Sequence, residues 1–304
     1  MNAATTVRQW CDRATEMGRA GESARLLADV QCAALLAQLG GWDHVGPAAL
    51  VAPVADSHDP SDTALEAISA GRAWMLTGGA RHVIGADDAS ILLVVARSRP
   101  FAGRERGLRV YAVRPDAEGV ACRTFTSMDG DPASRVDLDR VLVEDRDAVG
   151  PSRDATGAVT AALDVALLVA VAEMVGAARA ALDASIAWVK TRQQFGAPLG
   201  DKQAVQHRAA DMVMVCTGVE ALLEDALVRL EAGADVSVEA TVAKLVASER
   251  LPDVTASAHQ LHGGEGYYAD RPLHQWHRRV IALAYQLGDA SVQRRRLARV
   301  LQGR

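Results

Sequence analysis

The hydrophobic period changes twice along the chain. Residues 1 to about 45 read as helical: Leu26, Leu27, Val30, Ala33, Ala34 and Ala37 fall on one helical face, Ser23 can cap the segment, and Gly40-Gly41 ends it. From about 48 to 150 the pattern shortens. "ALVAPVAD" (49–56) is an apolar run broken by Pro53. "RAWML" (72–76) ends at Thr77-Gly78-Gly79. "ILLVVAR" (91–97) has the unbroken apolar pattern of a buried strand, and "LRVYAV" (108–113) and "RVDLDRVLVE" (135–144) alternate. Short strands punctuated by Gly and Pro predict a compact antiparallel sheet or barrel of about 100 residues.

From about 157 the helical period returns and stays. Helices are predicted over about 158–192, 201–232, 236–261 and 272 to the end, with Pro252 as a kink in the third. The first is lined by Ala and Gly, small enough to let a neighbouring helix come close. The second carries Val205, Ala209, Met212, Val215, Val219, Leu222, Ala226 and Leu230 at spacings of three and four, and Gly233 ends it. The fold class is therefore mainly α with a β middle domain: an N-terminal helical unit (1–47), a small antiparallel β domain (48–150) and a C-terminal four-helix bundle (151–304).

Charge and cysteine usage narrow the functions. The net charge of −5 argues against a nucleic-acid partner, and the arginines at 294–296 and 299 read as a solvated helix face near a helix end. Cys11, Cys32, Cys122 and Cys216 are scattered without a CxxC pair, so neither disulfides nor a metal site is expected and a reducing compartment fits. No basic start precedes an apolar core at the N-terminus, so no signal peptide is expected. The most apolar run, Val165 to Ala172, is eight residues long. That is short of the roughly 20 a membrane span needs. A cytoplasmic location without a membrane partner is the expectation.

Two polar joints interrupt the helices. The first is "TRQQFGAPLGDKQAVQHRAADM" (191–212) and the second is "QLHGGEGYYADRPLHQWHRR" (260–279). An Arg with an aromatic ring and amide side chains at one corner can hold a flat anionic group, because the guanidinium takes phosphate and the ring takes a ring face. Glycines beside Gln260 let a backbone approach a ligand and offer N–H donors. Either joint alone reads equally well as helix capping with structural glycines.

Taken together and in this order, the joints resemble the C-terminal helical domain of the acyl-CoA dehydrogenase family. The resemblance covers residues 158–304 and extends more loosely through "WMLTGGARHVIGADDASILLVVAR" and "MDGDPASRVDLDRVLVEDRDAVG". It implies a helical N-terminal domain, a middle β domain and a C-terminal bundle, assembled as dimers or tetramers with FAD bound across an interface. It assigns a grip on the ADP half of a neighbouring subunit's flavin to Arg192, Gln194, Phe195 and Gln203, and to Gln260, Gly263 and Gly264.

The sequence departs from that family at the chemistry. Its reaction is α,β-dehydrogenation of an acyl-CoA thioester, for which a carboxylate removes the α-proton. The family's Glu precedes Gly-Thr; here "AYQLGDASVQRR" (284–295) puts Leu287 there, and Gln286 cannot ionise near neutral pH. The family's alternative Glu position is Ala166, two residues from Asp164, which is expected to be an exposed or capping carboxylate. No catalytic residue is therefore assigned. The family's Gly-Ser flavin loop is replaced by "ADSHDPSDTA" (55–64), its Trp-Ile-Thr by His82-Val83-Ile84, and its Thr by Asp289. Much of the usual N-terminal domain also has no sequence to form it.

These losses share a direction: what holds isoalloxazine and substrate is degraded, while what clamps a neighbour's ADP is kept. The resemblance thus implies a short, non-catalytic subunit of a heteromeric acyl-CoA dehydrogenase. A sister chain would supply the base, and electron-transferring flavoprotein would be the expected acceptor. Unequal pairs of this kind occur in actinobacterial breakdown of steroid side chains and similar bulky acyl-CoA thioesters. Two alternatives stay open: a self-sufficient homo-oligomeric flavoenzyme using Asp164 or His82 as base, and a flavin-free scaffold.

Overall fold

The computed structural model describes residues 3–22, 25–40, 46–52, 63–71, 73–99, 107–150 and 154–302. Ser23, Gly41, Pro53 and most of the 55–64 stretch lie outside them. The described chain divides into two compact units: residues 1–24 with 167–304, and residues 25–166. The division differs from the three consecutive segments expected. The first helix, α1 (Ala3–Ala20), belongs with the C-terminal helices, and the second, α2 (Leu26–Gln38), belongs with the strands.

Apolar side-chain size decides which face each short helix buries. On α1, Val7, Cys11, Ala14 and Met17 are buried. On α2 the buried set is Leu26, Leu27, Ala28, Val30, Gln31, Cys32, Ala34 and Leu35. Ala33 and Ala37, expected inside, are exposed. Leu35 and Cys32 remove more apolar area from water than the alanines do, and they turn the helix accordingly.

In the second unit the strands form one sheet: β1 (Ala48–Val51), β2 (Glu66–Ala70), β3 (Ala73–Ile84), β4 (Ile91–Arg99), β5 (Leu108–Val113), β6 (Val120–Thr126), β7 (Pro132–Glu144) and β8 (Ala148–Val149). The order is β6-β7-β3-β2-β4-β5-β8, with β1 also paired to β4. Most pairings are antiparallel, as the alternation suggested, but β1 and β2 run parallel to β4. They lie end to end along it, Ala48–Val51 opposite Ile91–Val94 and Glu66–Ile68 opposite Arg97–Arg99. Leu65, Leu76, Leu92, Val94, Tyr111 and Val136 centre the core.

Strand β3 does not stop at Thr77-Gly78-Gly79. Gly78 has φ 118, and the register against β7 shifts between Leu76 and Gly78. A Cβ on Gly78 would lie 2.4 Å from the Ala64 carbonyl oxygen. The glycines therefore bulge the strand and bring another backbone close, which is the other use of Gly inside a strand.

In the first unit the helices are α3 (Thr156–Thr191), whose first turns belong to the other unit, then α4 (Gln203–Glu231), α5 (Ser237–His262), α6 (Leu273–Tyr285) and α7 (Ala290–Leu301). Helix α3 is apolar on nearly every side, the pattern of a core helix, and 83% of its most apolar 18-residue stretch is buried. Only glycine fits where α1 crosses it. A Cβ at Gly18 would lie 2.2 Å from the Glu173 carbonyl oxygen, and one at Gly176 would lie 2.1 Å from that of Thr15.

Helix α5 continues through Pro252. The last helix, expected unbroken from 272, divides into α6 and α7. Leu287 (φ 59) and Gly288 (φ 89) turn the chain, and the Asp289 carboxylate restarts it by accepting the Val292 N–H at 2.9 Å. Two buried polar ties hold these helices. Arg279 Nε donates to Glu173 Oε1 at 2.5 Å, with the two side chains 8% and 2% exposed. Lys244, fully buried, reaches Ser248 Oγ (2.8 Å) and the carbonyls of Ala284 (3.1 Å) and Gly288 (3.2 Å).

Candidate functional site

The two polar joints meet. Arg192 follows the last residue of α3, and its N–H still donates to the Trp188 carbonyl at 2.8 Å. Glu265 lies in a 3-10 turn, Gly263–Tyr267, directly after α5. Arg192 Nη1 stands 3.3 Å from Glu265 Oε1, and Arg271 Nη2 stands 3.6 Å from Glu265 Oε2. Both guanidinium carbons lie near the Trp188 ring, at 5.5 Å for Arg192 and 4.9 Å for Arg271, within cation–π range. The imidazole of His262 stacks on the same indole at 5.4 Å and 13°. Its Nδ1–H donates to the Ala258 carbonyl at 2.9 Å, and burial pushes its pKa down.

Beyond Arg192 the chain makes a two-residue hairpin, β9 (Gln193–Gln194) against β10 (Ala197–Pro198). Phe195 and Gly196 form its loop with φ 56 and 81. Two successive positive φ values are what a tight hairpin of this hand requires, and Gly, Asn or Asp normally supply them. A Phe there is strained and 91% exposed, with the Lys202 ammonium over its ring at 5.2 Å. A bulky aromatic held at a costly backbone angle in water has no role inside this fold; strain of this kind points outward, to a ligand or partner.

Gln194, Gln203 and Gln260 are exposed. Gly263 caps α5 at φ 60 and donates its N–H to the Gln260 carbonyl, so that donor is engaged rather than offered to a ligand. A Cβ on Gly264, as on Gly263, would meet nothing within 4 Å. Internal packing does not demand a glycine at 264, so open space lies above it.

A flavin's ADP half carries a pyrophosphate, and the residues present fit such a group. Two guanidiniums converge, and Trp188 Nε1 is a buried donor without a partner among the described residues. Among the described residues the reacting half has no match. Leu287 is buried, and no carboxylate replaces it. The Gln293 amide donates to the Leu287 carbonyl at 2.8 Å, and the side-chain oxygens of Gln286 and Gln293 are buried acceptors without partners among the described residues. In the other unit Ala166 is fully buried. Asp164 is buried as well, at 3% exposure, which corrects the exposed or capping role expected for it. His82 sits in β3, edge-on to Phe125 at 6.0 Å, as a structural histidine would.

Trp188, Arg271, Glu265 and His262 were not singled out from sequence. A signal existed for one of them: Trp188 lies one helical turn before Arg192, at the spacing whose side chains meet on a helix face.

Residues 156–302 match the family model described as acyl-CoA dehydrogenase, C-terminal domain. A 3-(aryl)acrylate reductase from Clostridium sporogenes is 29% identical over 81% of this chain, which spans 65% of that protein's length. Acyl-CoA dehydrogenase IpdE2 from Mycolicibacterium smegmatis is 29% identical over 84% of both chains. Among solved structures, the Tcur3481–Tcur3483 steroid ACAD superposes with a TM-score of 0.84 at 27% identity, over 98% of this chain and 81% of that one.

Proposed function

On the match of residues 156–302 to the acyl-CoA dehydrogenase C-terminal domain, we propose that the chain is a non-catalytic subunit of a heteromeric acyl-CoA dehydrogenase. Enzymes of the family depend on FAD. In this reading Arg192, with Gln194, Phe195, Gln203, Gln260, Gly263 and Gly264, holds the ADP end of a flavin whose reactive ring lies in a sister chain. The flavin supplies the hydride acceptor for dehydrogenation; this chain supplies charge and an aromatic face for its nucleotide. Arg192 gives charge-assisted donors to phosphate. Phe195, already outside its own fold, gives the face.

The single observation that carries this reading is the identity and setting of residue 287. A base for α-proton abstraction has to ionise; Leu287 cannot, and it is buried at a helix break, its carbonyl accepting from the Gln293 amide at 2.8 Å. The paired name of the steroid ACAD supports a two-chain assembly, and its substrate class supports a bulky acyl-CoA thioester.

Co-expression with a full-length family member encoded beside it tests the reading. The pair should purify yellow and dehydrogenate acyl-CoA, while the chain alone should be colourless and inactive. Arg192→Ala should strip flavin from the pair several-fold faster. A lone chain that is yellow and turns over acyl-CoA would overturn the proposal.

A further inference from the structure

We propose that Glu265 is a resident stand-in for the ligand's phosphate: its carboxylate fills the two-arginine cradle in the free chain and is exchanged for the nucleotide's anion on binding. The inference rests on the clamp reading above and adds a residue that opposes binding. Glu265 touches both cations, Arg192 at 3.3 Å and Arg271 at 3.6 Å, through one oxygen each. These are long contacts between side chains 35–41% exposed. A pair in that setting is weak and exchanges readily.

The cradle does not depend on Glu265 for its shape. Trp188 lies close to both guanidiniums, so they keep their places when the carboxylate leaves. A pyrophosphate brings more negative charge than one carboxylate, and its several oxygens suit the paired N–H groups of each guanidinium. The Trp188 indole N–H, buried without a partner among the described residues, is a further donor beside the exchange. Glu265 also sits in a turn with Gly264 and Gly266 on either side, and the space above Gly264 is open. Gly266 is packed against His262 and anchors the turn, so the Glu265 side chain itself swings aside on the open Gly264 side.

A stand-in and a brace predict opposite signs. Calorimetric titration of the full-length chain with ADP, inorganic pyrophosphate and adenosine separates them. With Glu265→Gln, ADP and pyrophosphate should bind about tenfold tighter, the scale of one charge-assisted hydrogen bond, while adenosine is unaffected. Glu265→Ala should move binding the same way, and circular dichroism confirms that both variants are folded. If both variants bind ADP no better than the native chain while Arg192→Ala loses it, Glu265 is a brace; the stand-in is overturned and the clamp stands. If adenosine gains as much as pyrophosphate, the effect is not charge exchange and the stand-in is also overturned. If Arg192→Ala binds ADP like the native chain, the clamp reading fails and takes this inference with it; if neither the native chain nor Glu265→Gln binds ADP or pyrophosphate, the cradle takes no anion in the free chain and the stand-in is overturned.

Discussion

Arg192 and Glu265 stand 3.3 Å apart, and that contact joins the end of α3 to the turn that follows α5. It brings two motifs that are remote in sequence to one corner of the helical unit. The corner is polar and half-exposed, with a strained aromatic beside it. Such an arrangement contributes little to stability and is suited to receiving something.

Phe195 should trade stability for binding. Replacing it with Asn suits the φ of 56 and removes an exposed ring. The isolated chain should gain about 1 kcal/mol, the cost of a left-handed residue. Flavin retention in the two-chain complex should fall. Thermal melting and flavin absorbance report the two effects; a variant unchanged in flavin content would remove Phe195 from the clamp.

Leu287→Glu should not create an enzyme in the isolated chain. The new carboxyl would be buried where an apolar side chain now sits, at a cost in desolvation. The expected result is a melting point several degrees lower, on the order of 1–3 kcal/mol of lost stability, and no acyl-CoA dehydrogenation. Turnover would show that one missing carboxylate was the chain's single defect.

Lys244 makes stability depend on pH in a definite sense. Burial pushes its pKa from 10.5 down to about 7. Between those values the unfolded chain binds a proton that the folded chain does not, so this residue's contribution to stability rises from about pH 7 towards pH 10. Neutral Lys244 keeps its bonds: it donates to the Ala284 and Gly288 carbonyls, while the Ser248 hydroxyl can turn to donate to its lone pair. Against Lys244→Met, the native chain should gain about 3 kcal/mol of relative stability across that window in urea titrations. A pH-independent difference would mean that Lys244 titrates alike in both states.

The buried pair of Glu173 and Arg279 should be asymmetric under mutation. Arg279→Met leaves a carboxylate that is 2% exposed without its guanidinium and should cost about 3–5 kcal/mol. Glu173→Leu together with Arg279→Met should recover most of that loss. Equal costs for the single and double variants, measured by denaturant unfolding, would show that packing rather than charge sets the penalty.

What the sequence disclosed was local. Arg192, Phe195 and Gly264 could be picked out because their meaning lies in neighbours a few positions away, as did the strand patterns of β4, β5 and β7. Glu265 and Arg271 could not, because the partner that gives them meaning arrives from another helix. The bulge at Gly78 looked like a stop, since Gly serves both purposes and the choice depends on the Ala64 backbone beside it. The break at residue 287 was hidden for the opposite reason: Leu rarely takes a positive φ, so the turn had to be read from Gly288-Asp289, a helix stop followed by a cap. On α2, alanines matched the helical period but lost the interior to larger side chains.

At the crossing of α1 and α3, Gly18 faces Glu173 and Gly176 faces Thr15 with main chain against main chain. A single methyl group at either point would act as a wedge. The first helix is therefore a keystone rather than a removable tail. A protease that clipped it away would leave a bare furrow of backbone along the central helix, and the remaining chain would have nothing of the right shape to fill it.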